Sequence, residues 1–298
     1  MADLPEVLVE ARRAMDDRLT ELAERLEAET PGRLGEALGY ALRSPGKRVR
    51  PALLLATYRA AGGCDPAVVG LATAVEVVHT YSLVHDDLPC MDDDGLRRGR
   101  PTTHVAFDVE TATRIGFLLV PVAAEELAAA GRAMGLSKAV TGAMALELFT
   151  AGGIQGMVGG QWLDLEAEGH RVDLAGLMDV HRRKTGALIA AAALLGARAA
   201  GAADDVLAAV RVFGEEIGLA FQVADDVLDA TRTSHELGKT AGKDAEDQKS
   251  TYVGLLGVTA AEVEADRHCT LALGALEGAG LPVGDLAVLA RYIVRRTS

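Results

Sequence analysis

AVVGLATAVEVVHTYSLVHDDL, residues 67–88, decides what kind of fold this chain adopts. It is apolar on nearly every side for about six turns, so it reads as a long helix buried inside a packed protein. Its polar residues Glu76, His79, Ser82, His85 and Asp86 recur at three- and four-residue steps, which puts one polar stripe on an apolar rod. A buried polar stripe must find partners. Pro89 disfavours α conformation at Leu88, so the helix ends or distorts there. Asp86 and Asp92, six apart, share no face of a regular helix, and a break lets both carboxylates turn toward one ion.

Working outward, the next stretch is HDDLPCMDDDGLRRGRPT (His85–Thr102), which sets Asp86, Asp87, Asp92, Asp93 and Asp94 beside Arg97, Arg98 and Arg100. So many carboxylates raise one another's pKa values unless cations join them. Hard oxygen ligands select Mg²⁺ or Ca²⁺, and Mg²⁺ is commonly held by one or two carboxylates plus phosphate oxygens. Arginine forks suit phosphate. The stretch therefore reads as a site for a metal-bound phosphorylated substrate, the plain alternative being a solvated acidic loop. On the upstream side, GKRVRP places Lys47, Arg48 and Arg50 just ahead of a helix opening at Pro51, an arrangement suited to an anion.

The rest of the chain also reads as helices: 5–28, 33–43, Thr103–Ala130 with a breaker at Pro121, 141–168, 174–200, 204–231, and two more near 260–277 and 285–296. Gly152, Gly156 and Gly160 form a side-chain-free stripe along 141–168, read first as a packing face. His181, Arg182, Arg183, Lys184 and Thr185 lie near the start of 174–200, where cations oppose the helix dipole and so suggest a facing anion. The helix at 204–231 carries FQVADDVLDA, in which Asp225, Asp226 and Asp229 converge on one face. Like charges at that spacing destabilise a bare helix and are better explained by metal. Lys239, Lys243 and Lys249 follow in a glycine-broken loop. No sustained period-two alternation, linker or low-complexity segment interrupts the pattern. One all-α domain spanning 1–298 is expected.

Composition narrows the function. Acidic residues outnumber basic ones 43 to 30, a net charge of −13, and a nucleic-acid binder needs the opposite footprint. Cys64, Cys90 and Cys269 are far apart, without a CxxC pair, so a reducing compartment fits better than a disulfide framework. The N-terminus lacks a signal peptide's apolar core, and the apolar run Gly186–Ala197 is too short to span a bilayer. A soluble, cytoplasmic protein is expected.

Two aspartate clusters about 140 residues apart, each with its own cations, suit a diphosphate chelated by several Mg²⁺ ions. With these motifs in order, the sequence resembles the short-chain trans-isoprenyl diphosphate synthases, the family of farnesyl and geranylgeranyl diphosphate synthases. DDLPCMD matches the longer form of the first aspartate-rich motif and DDVLD the second. GKRVRP, His79, LRRGRPT, GGQWLD, RRKTGAL, FQVADD and GKTAGKD match along nearly the whole chain.

The resemblance implies an all-α barrel of antiparallel helices around a deep cavity, usually a homodimer. It implies condensation of isopentenyl diphosphate with an allylic diphosphate, dimethylallyl or geranyl. Asp86, Asp87, Asp92, Asp225, Asp226 and Asp229 would bind about three Mg²⁺ ions. Lys47, Arg50, His79 and Arg98 match residues that hold isopentenyl diphosphate. Arg97, Lys184, Thr185, Gln222 and Lys239 match those around the allylic substrate. Among these, Asp86, Asp92, Arg97, Lys184, Thr185, Gln222, Asp225 and Lys239 would carry the ionisation chemistry. No stable membrane insertion and no nucleic-acid partner are implied.

Tyr81, next to Ser82 and five residues before Asp86, stands about 7.5 Å down the helix axis, where a growing tail would meet it. In the family a bulky residue there goes with a C15 product, so farnesyl diphosphate is expected, with geranylgeranyl diphosphate the alternative. One departure stands out: Phe117 occupies the place of the family's usual Asp in the helix after LRRGRPT. A Phe there would fill part of the cavity floor and alter chain length, or mark a non-catalytic subunit that binds prenyl diphosphates. A class I terpene cyclase shares the first motif, but the chain has no NDxxSxxxE metal motif and carries the second DDxxD instead.

Overall fold

Residues 4–170, 172–231 and 250–295 are described by the computed structural model. Lys239, and with it Lys243 and Lys249, therefore lies outside the described residues. The chain opens with α1 (Glu6–Glu29), α2 (Arg33–Leu42), α3 (Val49–Ala60) and α4 (Val68–Asp86). A two-residue antiparallel ribbon follows, β1 (Leu96–Arg97) against β2 (Arg100–Pro101). Then come α5 (Thr103–Ala106), α6 (Val109–Ala133), α7 (Lys138–Gly152), α8 (Met157–Glu166) and α9 (Leu174–His181). A π-helical turn at Arg182–Gly186 leads into α10 (Ala187–Ala199) and α11 (Asp204–Thr231). The last elements are α12 (Tyr252–Leu256), α13 (Val258–Gly278) and α14 (Gly284–Arg295). Apart from the ribbon, the described secondary structure is helical, as expected.

α4 sits in the middle, packed by α6 along its length and by α3, α1 and α10 on other sides. It is long and apolar enough to cross a bilayer, yet here it is the core helix, buried over most of its length. Its buried polar groups are answered in part. Glu76 pairs with Arg48 at 2.7 Å, and the Thr80 and Ser82 hydroxyls donate to the carbonyls of Glu76 and His79. α10, the alanine-rich run, lies so close to α3 that a Cβ on Gly196 would fall 2.3 Å from the Leu54 carbonyl oxygen.

Three sequence expectations need correction. The helix does not break at Pro121, because α6 continues through it. Proline removes one donor, and the carbonyl left waiting is that of Phe117, one turn earlier. Both residues are exposed, so solvent takes the place of the missing bond. The span 141–168 is not one helix but α7 and α8, parted by Gly153–Gly156. A Cβ on Gly156 would meet the Ala151 carbonyl oxygen at 2.1 Å, so the pinch requires glycine. Gly152, Gly156 and Gly160 therefore form no continuous stripe. Thr103–Ala130 is likewise two helices, α5 and α6, parted at Phe107–Asp108. The expected helix at 174–200 runs from α9 to α10 with helical backbone throughout, carrying the π turn as a bulge within it.

Candidate active site

α4 stops at Asp86, as Pro89 requires, and the chain folds back on itself. The Asp92 N–H donates to the Asp86 carbonyl at 2.8 Å, and the Asp93 N–H to that of Leu88 at 3.2 Å. That closure brings Asp92 beside Asp86. Burial, reinforced by Asp92 and Asp87 and opposed by Lys184 and Arg97, pushes the Asp86 carboxyl up to about 7. Burial likewise pushes Asp87 up to about 6 against the pull of Arg97, whose Nε donates to it at 2.5 Å.

Facing this loop are α8 and the π turn. Lys184 Nζ donates to Asp164 at 2.6 Å. Burial alone would lower the Lys184 ammonium, but Asp164, Asp92 and Asp86 hold it above its usual value. Gln161 Nε2 donates to Asp92 at 3.1 Å. The approach of α8 to the turn depends on Gly160, where a Cβ would fall 2.1 Å from the Lys184 backbone nitrogen. Behind the turn, a Cβ on Gly218 of α11 would stand 2.5 Å from the Gly186 Cα. Two glycines thus clamp the turn that carries Lys184 and Thr185. Irregular π turns of this kind are frequent at functional sites.

The second cluster reaches the same turn from α11. Asp226 is buried and accepts from the Tyr252 backbone N–H at 2.7 Å. His181 lies 4.0 Å from Asp226 and 3.2 Å from the Gln222 amide. Burial, only partly offset by Asp164 and Asp225, lowers His181 to about 4, so its ring is neutral. Lys184 and His181 therefore stand where Asp86 and Asp92 on one side meet Asp225 and Asp226 on the other.

On another side of α4 lies a cationic cleft. Arg98 donates to the Pro45 carbonyl, and the cleft walls include His79, Arg97 and Arg98. Burial, the Arg98 charge adding to it, lowers the Arg50 guanidinium to about 10. Burial and then the charges of Arg50, Arg98, Arg97 and Arg48 keep His79 neutral. Arg50 Nε and His79 Nδ1 are buried with no hydrogen-bond partner among the described residues. Buried donors without partners are costly, and an anion would satisfy them. Arg48, in contrast, has a structural job: it is buried against Glu76 and reaches Asp16 at 3.0 Å. Its φ of 54° is the left-handed conformation. Lys47 precedes it in the same turn.

Of the residues named from the sequence, Asp86, Asp87, Asp92, Arg97 and Lys184 come together, and Gln222, Asp225 and Asp226 approach them through His181. Thr185 is buried in the π turn and Asp229 lies one turn beyond Asp225 on α11. Asp93 stays peripheral, while Arg100, lying 4.3 Å over the Tyr40 ring, joins the wall of the cationic cleft. Asp94 leans on Arg97 at 3.3 Å. Phe117 fills no buried floor: it is 67% exposed, edge-on to His85 at 5.4 Å, with Tyr81 on the other side of His85 at 5.3 Å. Gln161, Asp164 and Glu76 had no assigned role in the sequence, and His181, read there as one of several cations facing an anion, is neutral. Only GGQWLD hinted at the first two.

The donor set fits Mg²⁺, since adjacent Asp86 and Asp92 offer hard oxygens and Asp86 holds its proton to about 7 without a cation. Among the described residues no three acidic, His or Cys side chains enclose one ion unaided.

A family model described as polyprenyl synthetase matches residues 31–274. Farnesyl diphosphate synthase of Bacillus subtilis is 36% identical over 98% of both chains. The heterodimeric geranylgeranyl pyrophosphate synthase large subunit 1 of Arabidopsis thaliana is 42% identical over 89% of this chain and 73% of its own. A geranyltransferase from Helicobacter pylori, solved with magnesium and isoprenyl diphosphate, superposes with a TM-score of 0.81 at 32% identity, covering 99% of this chain and 98% of the other.

Proposed function

Because the chain belongs to the polyprenyl synthetase family, we propose that it condenses isopentenyl diphosphate with an allylic diphosphate and releases diphosphate. The observation that carries this reading is the pair of distinct charged stations, one cationic and one built of carboxylates around a lysine. One is the Arg50, His79 and Arg98 cleft with its buried unpartnered nitrogens; the other is Lys184 set among Asp164, Asp92 and Asp86. Two substrates that each bear a diphosphate need two such stations, and a single phosphate ligand would not.

In this reading Arg50, His79, Lys47 and Arg98 bind the isopentenyl diphosphate, while Arg97 and Lys184 grip the allylic one. Asp86, Asp87 and Asp92 with Asp225, Asp226 and Asp229 would hold about three Mg²⁺ ions, which when bound would supply charge that stabilises the leaving diphosphate. The allylic C–O bond breaks and its electron pair leaves with the diphosphate. Lys184 and Arg97 already stand where that charge develops, which makes the stabilisation preorganised. Thr185 and Gln222 turn polar groups toward the allylic carbon without attacking it. The isopentenyl double bond then forms the new C–C bond, and its lost proton goes to the departing diphosphate. Lys239 belongs to the allylic side by its motif.

Tyr81 below Asp86 favours farnesyl diphosphate as product. The likeness to a geranylgeranyl synthase subunit favours the longer C20 product as the second reading. A homodimer is part of the proposal. Incubating the protein with Mg²⁺, isopentenyl diphosphate and dimethylallyl or geranyl diphosphate, then sizing the dephosphorylated products, tests it. C15 alcohol is expected, and no condensation with either primer would overturn the reading in favour of a non-catalytic binding subunit.

A further inference from the structure

We propose that His181 is a positioning residue for the ionisation step: its ring holds the side-chain amide of Gln222 in one orientation, carbonyl toward the allylic carbon. The proposal rests on the prenyl-transfer reading above. His181 is the last residue of α9 and leads directly into the π turn that carries Lys184 and Thr185. It is 8% exposed. Its ring stacks on Tyr252, centroids 5.7 Å apart and planes 22° apart. Its Nδ1 lies 3.2 Å from Gln222 Nε2, while its Nε2 is buried with no hydrogen-bond partner among the described residues and is 4.0 Å from Asp226.

The chemistry of the pair fixes both groups. An amide nitrogen brings only hydrogens to a contact, so Nδ1 accepts with its lone pair and the ring's proton resides on Nε2. Committing Nε2 of the amide to the ring turns its carbonyl oxygen away from the ring. Gln222 sits three and four residues before Asp225 and Asp226 on α11, hence on the same helix face as those carboxylates. The freed carbonyl dipole is thereby held on the side where positive charge develops on the allylic carbon, oriented before the reaction begins.

The ring cannot turn to release the amide. Tyr252 covers one face, and its backbone N–H is tied to Asp226 at 2.7 Å, so His181, Gln222, Asp226 and Tyr252 join α9, α11 and α12 as one unit. An apolar ring in this place would pack equally well on Tyr252 but would leave the amide free to flip. A nitrogen acceptor exactly facing an amide, inside a packed stack, is explained by the orientation it imposes.

Two measurements test the idea, one of them independent of turnover. In a ¹⁵N spectrum of the side-chain imidazoles, the resonance lost in His181→Asn is expected to report an unprotonated Nδ1 and a protonated Nε2, and to move in Gln222→Leu. In steady-state kinetics, His181→Phe is expected to lower kcat by about tenfold or more, with KM for isopentenyl diphosphate held within about twofold. His181→Asn, which returns an acceptor near the Nδ1 position, is expected to recover most of the loss. Gln222→Leu is expected to match His181→Phe, and the double variant to lose no more than either. A protonated Nδ1, wild-type kcat in His181→Phe, or fully additive losses would overturn the proposal. Should His181→Phe fail to fold, His181→Gln, with its polar atoms near Nε2 instead, takes its place and is expected to lose kcat as well. Failure of the wild-type chain to condense its substrates would overturn the reaction reading, while the imidazole spectrum would still judge the His181–Gln222 pair.

Discussion

Tyr81 is one ring in a short aromatic column that runs from α4 to α6. Its ring meets His85 edge-on at 5.3 Å, and His85 meets Phe117 edge-on at 5.4 Å. His85 is itself fixed, because its Nε2 donates to the Thr113 carbonyl at 3.1 Å and a Cβ on Gly116 would strike it. A chain growing downward from Asp86 therefore meets a ring that is braced from behind. Tyr81→Ala is expected to shift the product from farnesyl length to geranylgeranyl length, and Phe117→Ala, which loosens the brace without opening the path, to give a smaller shift. Chromatography of the dephosphorylated products reads both, and unchanged C15 output from Tyr81→Ala would show that the ring is no barrier. Asp86 supplies a second test at this scale. Its carboxyl in the metal-free fold titrates near 7, above the ordinary value of about 3.9 in an unfolded chain. The folded state then binds that proton more tightly, so its contribution to stability is full below about pH 4 and is lost as pH rises toward about 7. Asp87, pushed up to about 6, acts in the same direction. Mg²⁺ bound as proposed would have to displace these protons, so its affinity would run the opposite way. The rise in melting temperature on adding Mg²⁺ and inorganic diphosphate is expected to be small at pH 5.5 and largest above pH 7. Asp86→Asn should flatten both trends, and a pH-independent rise would sink the account.

At the scale of elements, the site depends on how closely the π turn is gripped. α8 approaches it at Gly160 and α11 at Gly218, where neither backbone leaves room for a side chain. Gly160→Ala would force the Lys184 backbone aside, a kind of overpacking that costs about 1–3 kcal/mol. Lys184 would move with it, away from Asp164. The expected result is a lower melting temperature together with a loss of kcat. Gly142 in the interior of α7 is the control, since nothing lies within 4 Å of its added Cβ. Alanine there should leave activity intact and stabilise the helix by up to about 1 kcal/mol. Thermal melts and kinetics of the two variants together separate a general glycine effect from this clamp. The same elements show why part of the architecture was not legible in the sequence. Periodicity located α1, α4 and α11 to within a residue or two, because each has a continuous apolar face. It ran α7 into α8 and missed the π bulge between α9 and α10, because glycines and the run RRKT do not disturb a helical pattern by themselves. What disturbs those helices is close contact: the Ala151 carbonyl behind Gly156, and α8 and α11 pressed on the turn. Pro121 misled in the other direction, since its missing bond falls on an exposed face where water replaces it.

Across the whole molecule, the residues proposed to face a ligand were readable from their motifs, and the residues that hold them in place were not. Asp86, Lys184 and Asp225 stand out as charges in apolar helices, and Asp92 as a carboxylate in the loop that follows one. Glu76 under Arg48, Gln161 on Asp92, Asp164 on Lys184 and His181 on Gln222 join segments between 20 and 69 residues apart, and no spacing in the sequence announces such pairs. The outer surface holds the last question. Phe117 of α6 is 67% exposed and Leu146 of α7 is 72% exposed, on two helices that pack against each other. In the homodimer proposed above a second copy would cover them, because a two-fold interface pairs one patch with itself. Phe117 also touches His85, the residue before Asp86, so cover at this surface would brace the metal loop as well. Light scattering of the wild-type chain is expected to give about twice the 31.1 kDa of one chain. Leu146→Asp places a charge in the patch, and burying it unpaired would cost several kcal/mol, enough to split a dimer at micromolar concentration. Its mass should fall to that of one chain and its turnover should drop, although Leu146 belongs to no substrate-binding element. A wild-type chain that is monomeric, or a Leu146→Asp variant that stays dimeric, would place the contact elsewhere.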